Sequence, residues 1–261
     1  MNIRDAVLQD LPAVQALIQA SFADELRPYM TATQAGAASF LSVFVGHPHL
    51  YPERTYLVAE AEDVGLLGYA EYRLLEGQTG FLSYICVSPS ARGQGVATRL
   101  MHRYLDLHPG VQRMQLDVFA QNAPALRLYC KLGFQADAET VWLRSPILPA
   151  SPLAVPADLR LENLPAALAM HERYGFCELQ GTFRGAPFKV GRIGAHVLRC
   201  FHAQNFSDTD FQCAMQSVLP ELQEALLITS AASQPVQAVG QEINRSIRMT
   251  WHVPDHLRGN P

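Results

Sequence analysis

The stretch FLSYICVSPSARGQGVATRLMHRYL, residues 81–105, decides the fold. Its apolar run Phe81–Val87 predicts a central strand covered on both faces, and Pro89 ends that strand. A short loop with Gly93 and Gly95 follows. The apolar residues after the loop recur at helical spacing and predict an amphipathic helix that runs to His108. The stretch is therefore a strand, a glycine loop and a helix, a unit typical of folds that mix both elements.

The loop is a candidate binding site for a phosphate group. A helix N-terminus offers free backbone N–H groups and a partial positive charge. Glycine lacks Cβ, so a phosphate can approach this backbone closely. The segment Arg92-Gly93-Gln94-Gly95-Val96-Ala97 could thus hold a pyrophosphate, although a glycine-rich turn without a ligand has the same local pattern. It is neither a P-loop, which needs Gly-Lys-Ser/Thr, nor GxGxxG.

A second motif is NAPALRLYCKLGF, residues 122–134. Asn122 is a good N-cap for a helix, and Gly133 is suited to end it. Tyr129 falls on the apolar face of that helix. Taken alone, this position predicts a core tyrosine whose hydroxyl is satisfied.

The rest of the first 150 residues alternates between strand and helix patterns. Asp10 caps a helix that starts near Leu11, and an alternating segment between the two motifs predicts a strand. The other predicted elements are a helix at Thr33–Val45 and strands at Thr55–Glu60, Leu66–Leu75 and Val141–Leu143. The class is therefore α/β or α+β.

A proline-rich segment divides the chain into two parts. SPILPASP, residues 145–152, is typical of a linker, and Pro156 follows. We predict domains at residues 1–146 and 158–261, with the linker at 147–157. In the second domain the patterns favour helices at 164–174 and 208–222, strands at 190–201, and apolar segments at 226–229 and 247–253.

Composition and charge exclude several classes of protein. Hydrophobic residues make up 49% of the 261, which excludes general disorder. The net charge of −4 divides into −3 for residues 1–150 and −1 for the remainder, so a nucleic-acid partner is not expected. The start carries Asp5 and Asp10 instead of an apolar leader, and no run is long enough for a membrane helix. We expect a soluble cytoplasmic protein without a membrane partner.

The cysteines and histidines do not suggest a metal site. The chain has five cysteines, an odd number, and no CxxC pair. This favours a reducing compartment and argues against a zinc site made of cysteines. His47 and His49 flank a proline without a third ligand. We therefore predict no metal cofactor.

Together the two motifs carry a resemblance to a known family. Residues 1–150 resemble the GCN5-related N-acetyltransferases, the GNAT superfamily. The family loop Gln/Arg-x-x-Gly-x-Gly/Ala is matched by Arg92–Ala97, and Leu82-x-x-Ile85-x-Val87-x-Pro89 is similar to the fourth strand of the family. The later pattern Asn-x-x-Ala-x-x-Leu-Tyr-x-Lys-x-Gly-Phe is matched by Asn122, Ala125, Leu128, Tyr129, Lys131, Gly133 and Phe134.

The resemblance implies a GNAT-type mixed sheet of about six or seven strands flanked by helices. It also implies acetyl-CoA as the donor, with its pantetheine arm between the splayed fourth and fifth strands. Tyr129 would be the general acid. The implied contacts are backbone groups of Ile85, Cys86 and Val87 and the side chain of Asn122 for the pantetheine, and the amides of Arg92, Gly93, Gln94, Gly95, Val96, Ala97 and Thr98 for the pyrophosphate.

One position departs from the family. Many relatives have a catalytic glutamate at the start of the fourth strand, where this chain has Phe81. Glu71, Tyr84 or a chain of water molecules could act as the base instead. Glu71 alternates with its strand neighbours, which favours an exposed surface charge. Cys86 lies in an apolar strand, so we expect a buried, unreactive thiol.

The second part of the chain has weak internal similarity to the first. Residues 163–170 match residues 10–17 at four of eight positions. A competing alignment sets Gly175-Phe176 against Gly133-Phe134. No Arg-x-x-Gly-x-Gly/Ala loop occurs after residue 151. We predict a smaller α/β domain, a degenerate second GNAT-like copy without its own acetyl-CoA site, which covers the acceptor end of the first domain or forms a homodimer contact.

The sequence thus predicts an acetyl-CoA-dependent N-acetyltransferase that acts on a primary amine of a small molecule or peptide. The alternative is an acyl-CoA-binding protein of GNAT fold without turnover. The sequence does not determine the acceptor or the base. We also expect residues 1–150 alone to bind coenzyme A.

Overall fold

The computed structural model describes residues 1–148, 158–232 and 240–255. The described residues form strands and helices in an intermixed order. The strands are β1 (Asn2–Asp5), β2 (Arg54–Ala61), β3 (Gly65–Leu75), β4 (Thr79–Val87), β5 (Arg113–Phe119), β6 (Gln135–Pro146), β7 (Leu159–Leu161), β8 (Phe176–Phe183), β9 (Ala186–Ile193), β10 (Val197–Cys200), β11 (Glu224–Ser230) and β12 (Gln241–His252). The α-helices are α1 (Leu11–Ser21), α2 (Ala37–Val45), α3 (Val96–Leu107), α4 (Ala123–Leu132), α5 (Leu164–Tyr174), α6 (Ala203–Ser207) and α7 (Thr209–Val218).

Most of the elements predicted from the sequence are confirmed. The strand expected at Val141–Leu143 is longer, Gln135–Pro146, and the helix expected from Thr33 begins at Ala37. Thr33 instead ends a short 3-10 turn, in which its hydroxyl donates to the carbonyls of Arg27 and Met30. A threonine side chain that bonds to nearby carbonyls competes with helix formation, which explains the later start.

The chain divides into two compact units. The first unit comprises Met1–Ala23, Ala38–Ala138 and the residues from Ile247 onwards. The second comprises Asp24–Ala37 and Glu139–Ser246. These units are not the contiguous segments 1–146 and 158–261 that the sequence predicted, because each also takes in residues from the other segment. Of the predicted linker at 147–157, residues 149–157 lie outside the described residues.

The sheet of the first unit has the strand order β1-β2-β3-β4-β5, followed by the C-terminal half of β12. Strands β1 to β4 are antiparallel, whereas β4 and β5 are parallel. Helix α3 packs on this sheet, and the rings of Tyr72 and Tyr104 stack at 4.1 Å. On the last strand, Trp251 packs against Phe134 with ring centroids 5.4 Å apart. The core of this unit therefore includes residues from the end of the chain.

The sheet of the second unit repeats the topology of the first. Its order is β6-β11-β10-β9-β8-β7. Neighbouring strands from β7 to β10 are antiparallel, and β10 is parallel to β11, as in the series β1 to β5. Helix α5 follows the edge strand as α1 does, and both helices have 11 residues and a proline in the first turn. The topology agrees with the alignment of residues 163–170 with residues 10–17.

Within the described ranges, no helix combines the length and the apolar character needed to cross a membrane.

Candidate active site

Strands β4 and β5 separate in the middle of the first unit. They pair only from Thr79 with Arg113 to Leu82 with Leu116. Beyond this point β4 continues to Val87, still paired with β3, and β5 continues to Phe119. The separation that the resemblance implies is present, and it leaves the edge of β4 without a strand partner.

A β-bulge marks the place where the strands separate. On β3, Glu71 pairs with Tyr84, and the next residue pairs with Leu82, so Ser83 is the extra residue of β4. A bulge bends its strand and increases the local twist. The predicted residues Ile85, Cys86 and Val87 lie directly beyond it, on the part of β4 that β5 does not cover.

The loop between β4 and α3 has the geometry expected of an anion site. Gly93 and Gly95 have φ angles of 75° and 78°, which favour glycine. A Cβ atom added at either glycine would meet nothing within 4 Å, so the space beside this backbone is open. The side chain of Gln94 donates to the Ser90 carbonyl at 2.9 Å and stabilises the loop from within.

The first turn of α3 leaves its backbone donors available. The N–H of Arg99 donates to the Gly95 carbonyl at 3.0 Å. The amides that precede it in the helix, those of Val96, Ala97 and Thr98, therefore have no helical acceptor. No side chain caps this end of the helix. Val96, Ala97 and Thr98 thus supply free N–H donors at a positive helix end, with Arg92 exposed beside them. In the preceding loop, the N–H groups of Arg92 and Gln94 donate to the carbonyls of Pro89 and Ala91.

Tyr129 lies on α4 with a buried ring and an unengaged hydroxyl. The residue is 5% exposed, and its ring packs against Phe134 at 5.6 Å. Its hydroxyl forms no hydrogen bond with any residue in the described ranges. Burial raises the pKa of Tyr129 above its ordinary value, with a smaller contribution from Cys86. The hydroxyl is therefore protonated at neutral pH and can donate a proton.

Cys86 and Asn122 have clear structural roles. Cys86 is 2% exposed, and burial raises the pKa of its thiol to about 11, which agrees with the expected unreactive thiol. Asn122 caps α4, because its Oδ1 atom accepts from the N–H of Ala125 at 3.2 Å. This bond leaves the amide nitrogen of the asparagine as the group that a ligand would contact.

The interpretation of Glu71 as an exposed surface charge is wrong. Its side chain is buried, and the residue is only 9% exposed. Its Oε1 atom lies 3.8 Å from Nη1 of Arg54. Burial raises the pKa of Glu71, while the charges of Arg54 and Arg73 oppose this shift. Alternation along the strand identified the face that carries Glu71, but not that this face is covered.

Two arginines contact the ring of Phe81, at the position where many relatives have glutamate. The guanidinium carbons of Arg73 and Arg248 lie 5.1 and 5.2 Å from the ring centroid. Arg248 also holds Asp117 of β5 with two hydrogen bonds, one of them 2.8 Å long. Sequence reasoning missed both arginines as site residues, because no motif contains them and Arg248 is distant in the chain.

The second unit has a different arrangement at the equivalent strands. All four residues of β10 pair with β11, from Val197 with Glu224 to Cys200 with Leu227. The short helix α6 follows β10, and the next helix, α7, is capped by Asp208, whose Oδ1 accepts from the N–H of Phe211 at 2.9 Å. A carboxylate at this helix end occupies a donor that a phosphate would need.

Metal ligands were also sought. In the three ranges that the structure describes, no group of three or more His, Cys, Asp and Glu side chains could hold a metal ion.

A family of known sequences matches the part of the chain that carries this site, residues 14–134. The sequence model of the "Acetyltransferase (GNAT) family" matches residues 14–134, which contain the separated strands, the glycine loop and Tyr129. This confirms the resemblance on which the sequence interpretation rests.

Known structures share the fold over the whole chain. A tandem GNAT protein from the clavulanic acid biosynthesis pathway is 15% identical, with a TM-score of 0.65, and the match covers 97% of this chain and 99% of that one. A GCN5-related N-acetyltransferase from Sphaerobacter thermophilus is 14% identical, with a TM-score of 0.60 and coverage of 100% and 96%. The likeness to a tandem protein agrees with the repeated topology of the second unit.

A curated relative matches a shorter part of the chain. The L-amino acid N-acetyltransferase AaaT of Escherichia coli (strain K12) is 38% identical over 56 residues. This match covers 20% of this chain and 35% of that protein, so it spans about a third of the relative's length.

Proposed function

We propose that the first unit is an acetyl-CoA-dependent N-acetyltransferase that acts on a primary amine of a small molecule or peptide. The observation that carries the proposal is the open edge of β4, which leads directly into the anion-binding loop before α3. Acetyl-CoA has an extended arm and a pyrophosphate, and these two features match such an edge and such a loop.

The proposed contacts of acetyl-CoA follow from the free backbone groups. The edge formed by Ile85, Cys86 and Val87 would bond to the amides of the pantetheine arm. Within the predicted segment Arg92–Thr98, the N–H groups that do not donate to a described residue would hold the pyrophosphate. Asn122 would contact the arm through its amide nitrogen, while its oxygen caps α4. Acetyl-CoA supplies an activated acetyl group as a thioester.

The chemistry needs a base, an oxyanion donor and an acid. An ammonium acceptor, with an ordinary pKa of about 10, first loses a proton to the base. Its nitrogen then forms the C–N bond, and a backbone N–H of β4 stabilises the oxyanion. As the C–S bond breaks, Tyr129 donates its proton to the leaving sulfur, and the proton that the new amide nitrogen loses restores the tyrosine hydroxyl. We assign the base to Glu71, since it is a buried carboxyl beside the bulge.

Replacing Gly95 with valine is expected to weaken coenzyme A binding by about tenfold or more, because the side chain would occupy the space that the phosphate needs. Calorimetric titration with coenzyme A measures this effect. Gly65→Val is the matched control, since Gly65, the first residue of β3, has the same φ of 78° and equally open surroundings. Equal affinities of the two folded variants would contradict the assignment of the loop.

Glu71→Gln is expected to lower kcat by about 10²-fold or more, the effect of losing a general base. The wild-type rate should fall as the pH drops through the pKa of Glu71. Because burial raises this pKa, the fall should begin at a higher pH than for an ordinary glutamate. The variant should lose this acidic limb, whereas Glu76→Gln, in the exposed turn after β3, should keep it. An unchanged pH profile would assign the base elsewhere, to Tyr84 or water.

The alternative is an acyl-CoA-binding protein without turnover, and Phe81 in place of a catalytic glutamate favours it. A panel of amines separates the two functions when thiol release from acetyl-CoA is followed. The panel includes L-amino acids, because one relative is named for them. Thiol release that depends on an amine supports the enzyme. Binding of acetyl-CoA without release for any amine supports the binding protein.

For the second unit we propose a non-catalytic role. The paired strand β10 and the capped helix α7 both support the absence of a second acetyl-CoA site. Titration should therefore give one equivalent of coenzyme A per chain.

A further inference from the structure

Arg73 lies close enough to the proposed base, Glu71, for their charges to interact, but no described residue forms an ion pair or a hydrogen bond with its guanidinium. It follows Glu71 by two residues on β3, so both side chains are on the same face of the sheet. Its Nε atom is buried and has no hydrogen-bond partner. Its guanidinium makes no hydrogen bond or ion pair with any other residue in the described ranges, and its ring contact is Phe81.

Two neighbouring arginines, Arg54 and Arg248, form hydrogen bonds or ion pairs with other side chains, unlike Arg73. Arg54 donates to the hydroxyl of Tyr56 at 3.2 Å and lies 3.8 Å from the carboxylate of Glu71. Arg248 forms its paired hydrogen bonds with Asp117. Of these three arginines, only Arg73 makes no hydrogen bond or ion pair with a described residue.

The partly buried guanidinium of Arg73, which has no hydrogen-bond partner among the described residues, requires an explanation. A partly buried charge without a partner is unfavourable, and an anionic ligand removes this cost when it binds. The planar fork of an arginine matches the two oxygens of a carboxylate. The Phe81 ring supports one side of this group through a cation–π contact.

We propose that Arg73 binds the carboxylate of the acceptor, and that the acceptor is an α-amino acid whose amine is directed towards Glu71. This inference rests on the proposed acetyltransferase function. Residues two apart on a strand are separated by about 6.6 Å, a spacing suited to an amine and a carboxylate that are joined by one carbon. A polyamine would instead place a second positive charge next to Arg73, which is unfavourable.

The test compares acceptors that differ only in the carboxylate. L-Leucine, leucinamide and 3-methylbutylamine have the same side chain, but only L-leucine carries the anion. We expect Arg73→Met to lower kcat/KM for L-leucine by about 10- to 100-fold, the effect of losing a charge-assisted bond, mainly through KM. The values for the two acceptors without a carboxylate should change little. Arg73→Lys should be intermediate, and Arg103→Met, on the exposed face of α3, is the control.

Binding provides a test that does not depend on turnover. L-Leucine should bind to the protein saturated with coenzyme A, and Arg73→Met should abolish this binding while its affinity for coenzyme A is retained. Retained coenzyme A affinity also shows that the variant is folded. If no acceptor gives thiol release but L-leucine binding depends on Arg73, the proposed acetyltransferase function fails and the carboxylate site stands.

Other outcomes overturn the inference about Arg73. One such outcome is that 3-methylbutylamine turns over at least as fast as L-leucine and that Arg73→Met affects both acceptors equally. The acetyltransferase function would then stand, and the proposed carboxylate site would be wrong. The same holds if only the lysine side chain of an N-acetylated, C-amidated peptide is acetylated. If Arg73→Met fails to bind coenzyme A, the test uses Arg73→Lys instead. An unchanged preference of Arg73→Lys for L-leucine over leucinamide would contradict bidentate recognition of the carboxylate.

Discussion

Replacing Tyr129 with phenylalanine should reduce kcat by about 10²–10⁴-fold while the affinity for acetyl-CoA stays close to that of the wild type. The hydroxyl is needed only when the sulfur leaves, and it makes no hydrogen bond to the described residues that the substitution could break. The ring keeps its packing against Phe134 in the variant. Single-turnover thiol release measures the chemical step, and titration with coenzyme A measures binding.

The control is a second buried tyrosine whose hydroxyl also lacks a hydrogen bond. Tyr104 stacks on Tyr72 in the core, and Tyr104→Phe should leave kcat unchanged. Burial raises the pKa of Tyr129, so its deprotonation should not reduce the rate until well above the ordinary tyrosine value of about 10. Full activity of Tyr129→Phe would mean that water or the acceptor supplies the proton and that Tyr129 only packs.

The local parts of the site could be predicted from the sequence. The cap at Asn122, the left-handed glycine at Gly133 and the glycine loop before α3 depend on short-range backbone geometry. Such features are determined by a few neighbouring residues of the sequence. The separation of β4 and β5 is predicted by the family resemblance alone. The sequence of a single strand does not show where its pairing with another strand ends.

The acceptor side of the site could not be predicted in the same way. Alternation on β3 groups Glu71 with Arg73, but it does not say which face other elements cover. The burial of Glu71 and the lack of an ion pair between Arg73 and any described residue depend on distant parts of the chain. The partners of Phe81 come from β3 and from β12, at opposite ends of the sequence.

The unit boundaries also depend on distant segments. Residues 247–253 were recognised as an apolar stretch and assigned to the second domain. In the structure the residues from Ile247 belong to the first unit, where Met249, Trp251 and Val253 are buried in its core. Apolar patterning predicts that a segment is buried, but it does not identify the core that buries it.

The last strand changes the expectation for a fragment of residues 1–150. Without β12, Phe134 loses its contact with Trp251, and β5 loses its neighbour in the sheet. Removing one buried tryptophan side chain costs about 3–5 kcal/mol, and typical domains are stable by only about 5–15 kcal/mol. The fragment lacks the buried side chains of Met249, Trp251 and Val253 as well as the backbone pairing of β12. We therefore expect that the fragment neither folds stably nor binds coenzyme A.

Trp251→Ala in the full chain tests the same contact by a smaller change. We expect it to destabilise the first unit by about 3–5 kcal/mol, and Trp251→Phe to be milder because an aromatic ring remains against Phe134. Urea unfolding followed with and without coenzyme A assigns the loss to the first unit, since a bound ligand stabilises the unit that holds it. Cooperative unfolding of fragment 1–150, with the coenzyme A affinity of the full chain, would show that the last strand is dispensable. In that case the truncation would test only the role of the second unit. If the fragment does not fold, any truncated protein must retain the residues from Ile247 onwards.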